Sequence, residues 1–169
     1  ESADRAFRGR GWQGPTLMGA LHGVTAAQAA TRPAVGRRSM WEQALHAAYW
    51  THAIACVLER AAVLHAGGEA DDYVPPKFPR SPINWPRVPA EADSAAWRAD
   101  RELLVAQHER ALRACTALDD EAMSLRPTPQ RGWTVAQYLM GLAAHHAYHC
   151  GQVRWVKKAV RAARSKPAR

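Results

Sequence analysis

Apolar residues recur at helical spacing along most of this chain, and sustained alternation of β-branched residues is nearly absent, so the pattern predicts an all-α protein. A glycine-rich lead-in over residues 9–15 ends at Pro15, which suits the first turn of a helix. A first helix is expected from about Thr16 through Leu21, weakened by Gly19 and Gly23. Thr25 can cap a short continuation over residues 26–30, which Pro33 and Gly36 end. The second helix is better marked. Ser39 and Glu42 form a capping box, Trp41, Leu45, Ala48, Tyr49, His52, Ala55 and Cys56 follow one stripe, and Gly67-Gly68 stops it.

Six prolines between residues 69 and 93 exclude a helix there. A connection this long lets the next helix run parallel to the last, and Phe78 and Trp85 suggest that it packs on the body. A third helix is expected from Asp93 or Ser94 through Trp97, Leu103, Leu104, Ala111 and Leu112 to about Leu118. After a loop with Pro127 and Pro129, Thr134 and Gln137 make a second capping box. They open a last helix through Tyr138, Leu142, His145, His149 and Val153 to about Arg161. The sum is four main helices with one long crossover, between the second and the third.

The 169 residues suffice for one domain, read as residues 1–163 with a basic, disordered tail at 164–169. A composition of 47% apolar and 22% charged residues is that of a globular chain. Residues 43–58 and 132–153 lack charged side chains. The first stretch is short for a membrane span, and the second carries Gln137, His145, His146, His149 and Gln152, so neither reads as one. The net charge of +8 concentrates in Arg154, Lys157, Lys158, Arg161, Arg164, Lys166 and Arg169. It reads as a solvated helix end that complements the helix dipole; no recognition motif accompanies it to argue for a nucleic-acid partner. Cys56, Cys115 and Cys150 lack CxxC spacing, which predicts buried, reduced thiols in a cytoplasmic protein.

Of eight histidines, His65 and His108 lie near charged neighbours and are expected to be solvated, and His22 sits beside Gly23 at a helix end. His145 and His149, four residues apart, share a helix face with Tyr138, Leu142, Gln152 and Val153 that should turn inward. Buried imidazoles need partners. A metal ion is one solution, since zinc, nickel, iron and copper all accept neutral imidazole; a pair bonded to each other or to backbone is the other. A third ligand would come from the second helix. His46 is the best candidate, and His52, six residues on, points in a different direction. Three histidines would leave an ion an open position, which is catalytic in character. Ligation needs deprotonated rings, so acidification through about pH 6 should release the ion.

The segment Gly141-Leu-Ala-Ala-His-His-Ala-Tyr-His-Cys-Gly-Gln-Val153 resembles the last-helix signature of the DinB-like proteins, HDxYHxGQI. These are small metal-binding four-helix bundles, distinct from the DNA polymerase that shares the name. Ser39-Met-Trp-Glu-Gln-Ala-Leu-His46-Ala-Ala-Tyr-Trp50 is similar to their second-helix signature, a serine cap followed by one histidine. Trp12-Gln-Gly-Pro15 and Thr31-Arg-Pro33 also look familial, and the resemblance runs over residues 12–160. It implies an up-down-down-up four-helix bundle and a divalent metal, zinc, nickel or iron, held by His46, His145 and His149. Two positions depart from the family pattern. His146 stands where an aspartate is usual, and Cys150 where a small residue is. Both lie about 100° around the helix from a neighbouring ligand and are not expected on the same ion, although His146 could tune ligand orientation.

Characterised relatives include enzymes that use low-molecular-weight thiols such as bacillithiol or mycothiol. The resemblance therefore implies either thiol S-transfer to an electrophilic small molecule or metal-dependent hydrolysis. The alternative is a non-catalytic metal-binding stress-response or ligand-capture module, for which a homodimer is one expected assembly. Tyr148 and Gln152 could orient groups near the ion or simply pack. Among seven tryptophans, Trp12, Trp50 and Trp85 are the candidates for the pocket wall.

Overall fold

The computed structural model describes residues 1–9, 14–34, 37–128 and 130–164. Among these residues the chain is all-helical, with no strand. The elements are α1 (Ser2–Phe7), α2 (Leu17–Leu21), α3 (Ala26–Ala30), α4 (Met40–His65), α5 (Ser94–Thr116) and α6 (Val135–Arg164), with 3-10 turns at Ala70–Asp72 and Ala122–Ser124. No helix among them is long and apolar enough to cross a membrane. Trp12 and residues 165–169 lie outside the described residues; Arg164, which opened the expected tail, is the last residue of α6.

The helix boundaries follow local chemistry. Ser39 accepts from the Glu42 amide at 3.2 Å while Glu42 accepts the Ser39 amide at 2.9 Å, which closes the capping box of α4. Thr25 with Gln28 caps α3, and Thr134 with Gln137 caps α6, in the same reciprocal way. Asp93 accepts from the Ala96 amide at 2.8 Å to start α5. Gly67, at φ 84°, ends α4 where a side chain would be strained.

The expected first helix is α2, five residues capped by Thr16, and its expected continuation is α3, capped by Thr25; a separate α1 precedes them that the sequence pattern did not reveal. The apolar residues of α1, Ala3, Ala6 and Phe7, are spaced i, i+3, i+4 and are buried where α1 packs on α6. Six residues are too few to show periodicity and too few to hold a helix without tertiary packing.

One core cluster joins Leu17, Leu21, Met40, Trp41, Leu45, Leu104, Val153 and Val156; a second joins Ala55, Leu58, Ala111, Val135 and Leu142 nearer the other end of the long helices. Trp41 is fully buried, and truncating such a residue to Ala costs about 3–5 kcal/mol. Its indole Nε1–H donates to Asp100 Oδ2 at 2.8 Å, and Arg80 Nε donates to Asp100 Oδ1 at 2.7 Å. Arg80 lies in the proline-rich crossover, so this buried carboxylate ties that segment to the α4–α5 interface.

His108, expected in solvent, is fully buried. Its ring stacks on Phe7, with centroids 3.8 Å apart, and its Nε2 lies 3.0 Å from Asp4 Oδ1. The charged neighbours that suggested exposure belong to α5 itself, whereas α1 returns to cover the ring from 104 residues away.

Candidate metal centre

Three imidazoles converge between α4 and α6. His46 and His149 are buried and His145 is partly so. Ring centroids lie 4.9 Å apart for His46 and His149, 5.4 Å for His46 and His145, and 4.3 Å for His145 and His149. One nitrogen of each lies within 4.8 Å of the other two, and the set could hold a metal ion. The two rings on α6 meet because four residues advance the helix by little more than one turn. His46 reaches them from the first half of α4, which packs on α6.

The proton positions follow from the partners. His46 Nδ1 lies 2.5 Å from the backbone oxygen of Asn84, and His149 Nδ1 lies 2.6 Å from Gln43 Oε1. Both oxygens only accept, so both rings carry the proton on Nδ1 and present a lone pair at Nε2. This is the arrangement by which a carbonyl orients a metal-binding imidazole from behind. His145 Nε2 lies 3.1 Å from His149 Nε2, and His145 Nδ1 is buried without a hydrogen-bond partner. Tetrahedral zinc, with Zn–N bonds near 2.0–2.1 Å, would set ligand nitrogens about 3.3 Å apart, so this pair already has the spacing an ion requires. Without an ion, His145 Nε2–H donates to His149. The sequence left a bonded pair and a metal site open as alternatives, and the structure contains the elements of both.

Burial keeps these rings neutral. It pushes His149 down to about 3 and His145 to about 4, with the charge that neighbouring rings would carry adding to the effect. His46 is also lowered, by burial first, against the opposing hydrogen bond to Asn84. At neutral pH all three are competent ligands.

The crossover builds one wall. Trp85 stacks on His46, with ring centroids 3.8 Å apart and planes 10° from parallel. The Arg38 guanidinium lies 4.7 Å from the Trp85 ring centroid. Trp50, half-buried, donates its Nε1–H to Asn84 Oδ1 at 2.9 Å and lies 6.3 Å from His145 by ring centroids. Tyr148 is exposed, with its ring 5.1 Å from that of His149. Tyr148 and Gln152 line an open cleft of about 600 Å³ with Arg37, Arg38, Gln43 and Trp155, which brings solvent to the edge of the site.

His146 lies elsewhere. Fully buried, it puts Nε2 3.1 Å from Thr51 Oγ1 and packs near Phe7 and His108. His52 faces α5, 3.1 Å from Gln107 Oε1. Cys150 is buried on α6 and donates to the Pro15 oxygen at 3.1 Å. Two residues of the site escaped the sequence reading. Gln43 precedes His46 by three positions and so shares its helix face, a usable signal. Asn84, in the positive-φ conformation at 73° that asparagine tolerates, had no signal beyond its place in the crossover.

Comparison with curated proteins and with solved structures gives no match. A family model described as the DinB superfamily matches residues 12–153, a span that contains all three converging histidines, and the chain belongs to that superfamily.

Proposed function

We propose that this chain is a metal-dependent enzyme acting on a small molecule, with thiol S-transfer to an electrophile as its chemistry and hydrolysis as the nearest variant. His46, His145 and His149 would hold a divalent transition metal such as zinc, nickel or iron. The observation that supports this most directly is the pair of Nδ1–H groups committed to Asn84 and Gln43, which leaves His46 and His149 each with a lone pair on Nε2, that of His149 3.1 Å from His145 Nε2, in a cluster whose ligand nitrogens lie within 4.8 Å of one another. A cation held by three imidazoles would supply Lewis acidity at an open position, lowering the pKa of a thiol or water bound there. In the same reading the molecule is a single domain through residue 163. Its fold is an up-down-down-up four-helix bundle in which α1–α3 take the place of the first helix. Three free cysteines suit the reducing cytoplasm.

The surrounding residues have separate tasks. Trp85 covers the His46 face and excludes water there. Gln43 and Asn84 fix ring tautomers. The cleft beside Tyr148 and Gln152 admits a substrate, and Arg37 and Arg38 favour an anionic group at its mouth.

Metal content of the purified protein and of His46→Ala, His145→Ala and His149→Ala variants tests the ligand set. Stoichiometric metal in the parent and loss in each variant is expected; retention in all three overturns it. Thiol-dependent turnover of a model electrophile by the loaded protein tests the chemistry, and binding without turnover favours a capture module instead.

A further inference from the structure

A second constellation of reactive side chains lies outside the histidine cluster, between α4, α5 and the segment after the first 3-10 turn. Cys56 is half-buried there. Arg110 of α5 holds Glu59 through both carboxylate oxygens, with Nε to Oε1 at 2.6 Å and Nη2 on Oε2. Tyr73 donates its hydroxyl to the same carboxylate and accepts from Arg110 Nη2 at 3.1 Å. So fixed, Arg110 places Nη2 3.3 Å from Cys56 Sγ and Nη1 3.0 Å from His52 Nδ1. His52 Nε2 lies 3.7 Å from the sulfur.

These contacts determine what the sulfur must do. A guanidinium only donates, so in the neutral ring His52 Nδ1 accepts and the proton sits on Nε2, facing Cys56. In the imidazolium, Nδ1–H would turn to Gln107 Oε1 at 3.1 Å, and Nε2–H would still face Cys56. In both states the sulfur receives two N–H donors, one from His52 and one from Arg110. That environment favours thiolate over thiol. The Glu59 carboxylate beside them is charge-paired with Arg110 and accepts the Tyr73 hydroxyl. Burial would raise the thiol, but the surrounding polar groups, His52 first, outweigh it and bring Cys56 down to about 7.

We propose that Cys56 is a thiolate modification site, positioned by Arg110 and His52, that reacts with hydroperoxides. The sulfur attacks the terminal oxygen of ROOH. An S–O bond forms as the O–O bond breaks, giving a sulfenic acid, and the alkoxide leaves with the electron pair and takes a proton from water. Sulfur is oxidised by two electrons and the peroxide is reduced to an alcohol, or to water when R is hydrogen. The positive charge of Arg110 beside the sulfur favours the departing anion. The site shares no residue with the histidine cluster and needs no metal.

The test uses the full chain, metal-free and metal-loaded. Iodoacetamide alkylation is followed residue by residue by mass spectrometry across pH, and hydrogen peroxide treatment is followed by dimedone trapping. The Cys56 alkylation rate should titrate with a midpoint near pH 7, against about 8.5 for an ordinary thiol. At pH 7 this gives about fifteenfold more thiolate, offset by about fivefold lower intrinsic nucleophilicity, for a rate about threefold above a free thiol. Dimedone should label Cys56 and leave the buried Cys150 unlabelled. Arg110→Gln should move the midpoint up toward about 8.5. A parent midpoint at 8.5 or above, or equal dimedone labelling of Cys56 and Cys150, overturns the proposal, and neither result depends on a variant that folds. Metal loading should leave the profile unchanged; a metal-dependent midpoint would overturn the independence of the two sites.

Discussion

His46 donates its Nδ1–H to the backbone oxygen of Asn84 at 2.5 Å, across 38 residues, and Asn84 holds that oxygen in place from a positive-φ turn in the proline-rich crossover. The bond comes from backbone, so the Asn84 side chain is dispensable for it. The corresponding bond behind His149 comes from the Gln43 side chain and is not dispensable.

This asymmetry separates two variants. Asn84→Gly keeps the positive φ and the carbonyl and loses only the bond to Trp50, so metal affinity should change by less than about threefold. Gln43→Leu leaves His149 free to change tautomer and rotate, and should weaken binding about 10–100-fold. Competition against a chromophoric chelator reads both. Equal losses would mean that side-chain packing, and not proton placement, governs the site.

The crossover that carries Asn84 and Trp85 is anchored at Asp100, which is fully buried and receives Trp41 and Arg80. Arg80→Met leaves that carboxylate with its indole donor but without its cation. Breaking a buried pair on one side costs about 3–5 kcal/mol. The partial exposure of Arg80 places the expected loss at the lower end, about 3 kcal/mol by urea unfolding. Asp100→Asn together with Arg80→Met should recover part of it, and a double variant no more stable than Arg80→Met would show that the lost packing of Arg80 dominates.

Asp4 gives α1 its hold on the rest of the molecule. Its carboxylate meets buried His108 at 3.0 Å and Arg8 at 2.9 Å. Asp4→Ala strands His108 Nε2 in the core, which should cost about 1–3 kcal/mol. For a chain of this size that is a fall of about 2–12 °C in Tm by calorimetry. A change under a degree would mean that Phe7, not the polar pair, fastens α1.

The helices that local signals specify were legible in the sequence. Ser39 with Glu42, Thr134 with Gln137, and Gly67 act within four residues of themselves, so a linear reading finds them. His145 and His149 were visible for the same reason, since helical spacing alone puts them on one face. What escaped depends on chain return. Asp4 and His108 are 104 residues apart, Trp41 and Asp100 are 59 apart, and His46 meets Asn84 across 38. Cys56 read only as a buried, reduced thiol because Arg110, which donates to it, comes from another segment, and only His52 lies one turn away on its own helix.

Buried rings set the pH dependence of the metal-free protein. Burial first, then the charge of neighbouring rings, holds His146 and His149 down to about 3 and His145 to about 4, against an unfolded value near 6.5. The folded pKa lies below the unfolded one, so the unfolded chain takes up protons first. Stability is complete above about pH 6.5 and falls as pH drops toward 4. Each ring contributes a slope of about 1.4 kcal/mol per pH unit, so three give about 4. Even half of that consumes a typical 5–15 kcal/mol within a few units. Glu42 adds to the trend further down: against its burial, the Arg32, Ser39 and Arg38 bonds lower it to about 2, and their stabilisation is lost as pH falls below its usual 4.5. The urea midpoint should therefore be level above about pH 7 and drop steeply between about 6.5 and 4. Metal competes with protons only near the lowered values. Release should track this unfolding at about pH 4–5, below the range near 6 expected for imidazoles with their ordinary pKa. A urea midpoint that stays level down to pH 4.5 would show that the rings are hydrated, and would remove the reason for expecting them to stay neutral.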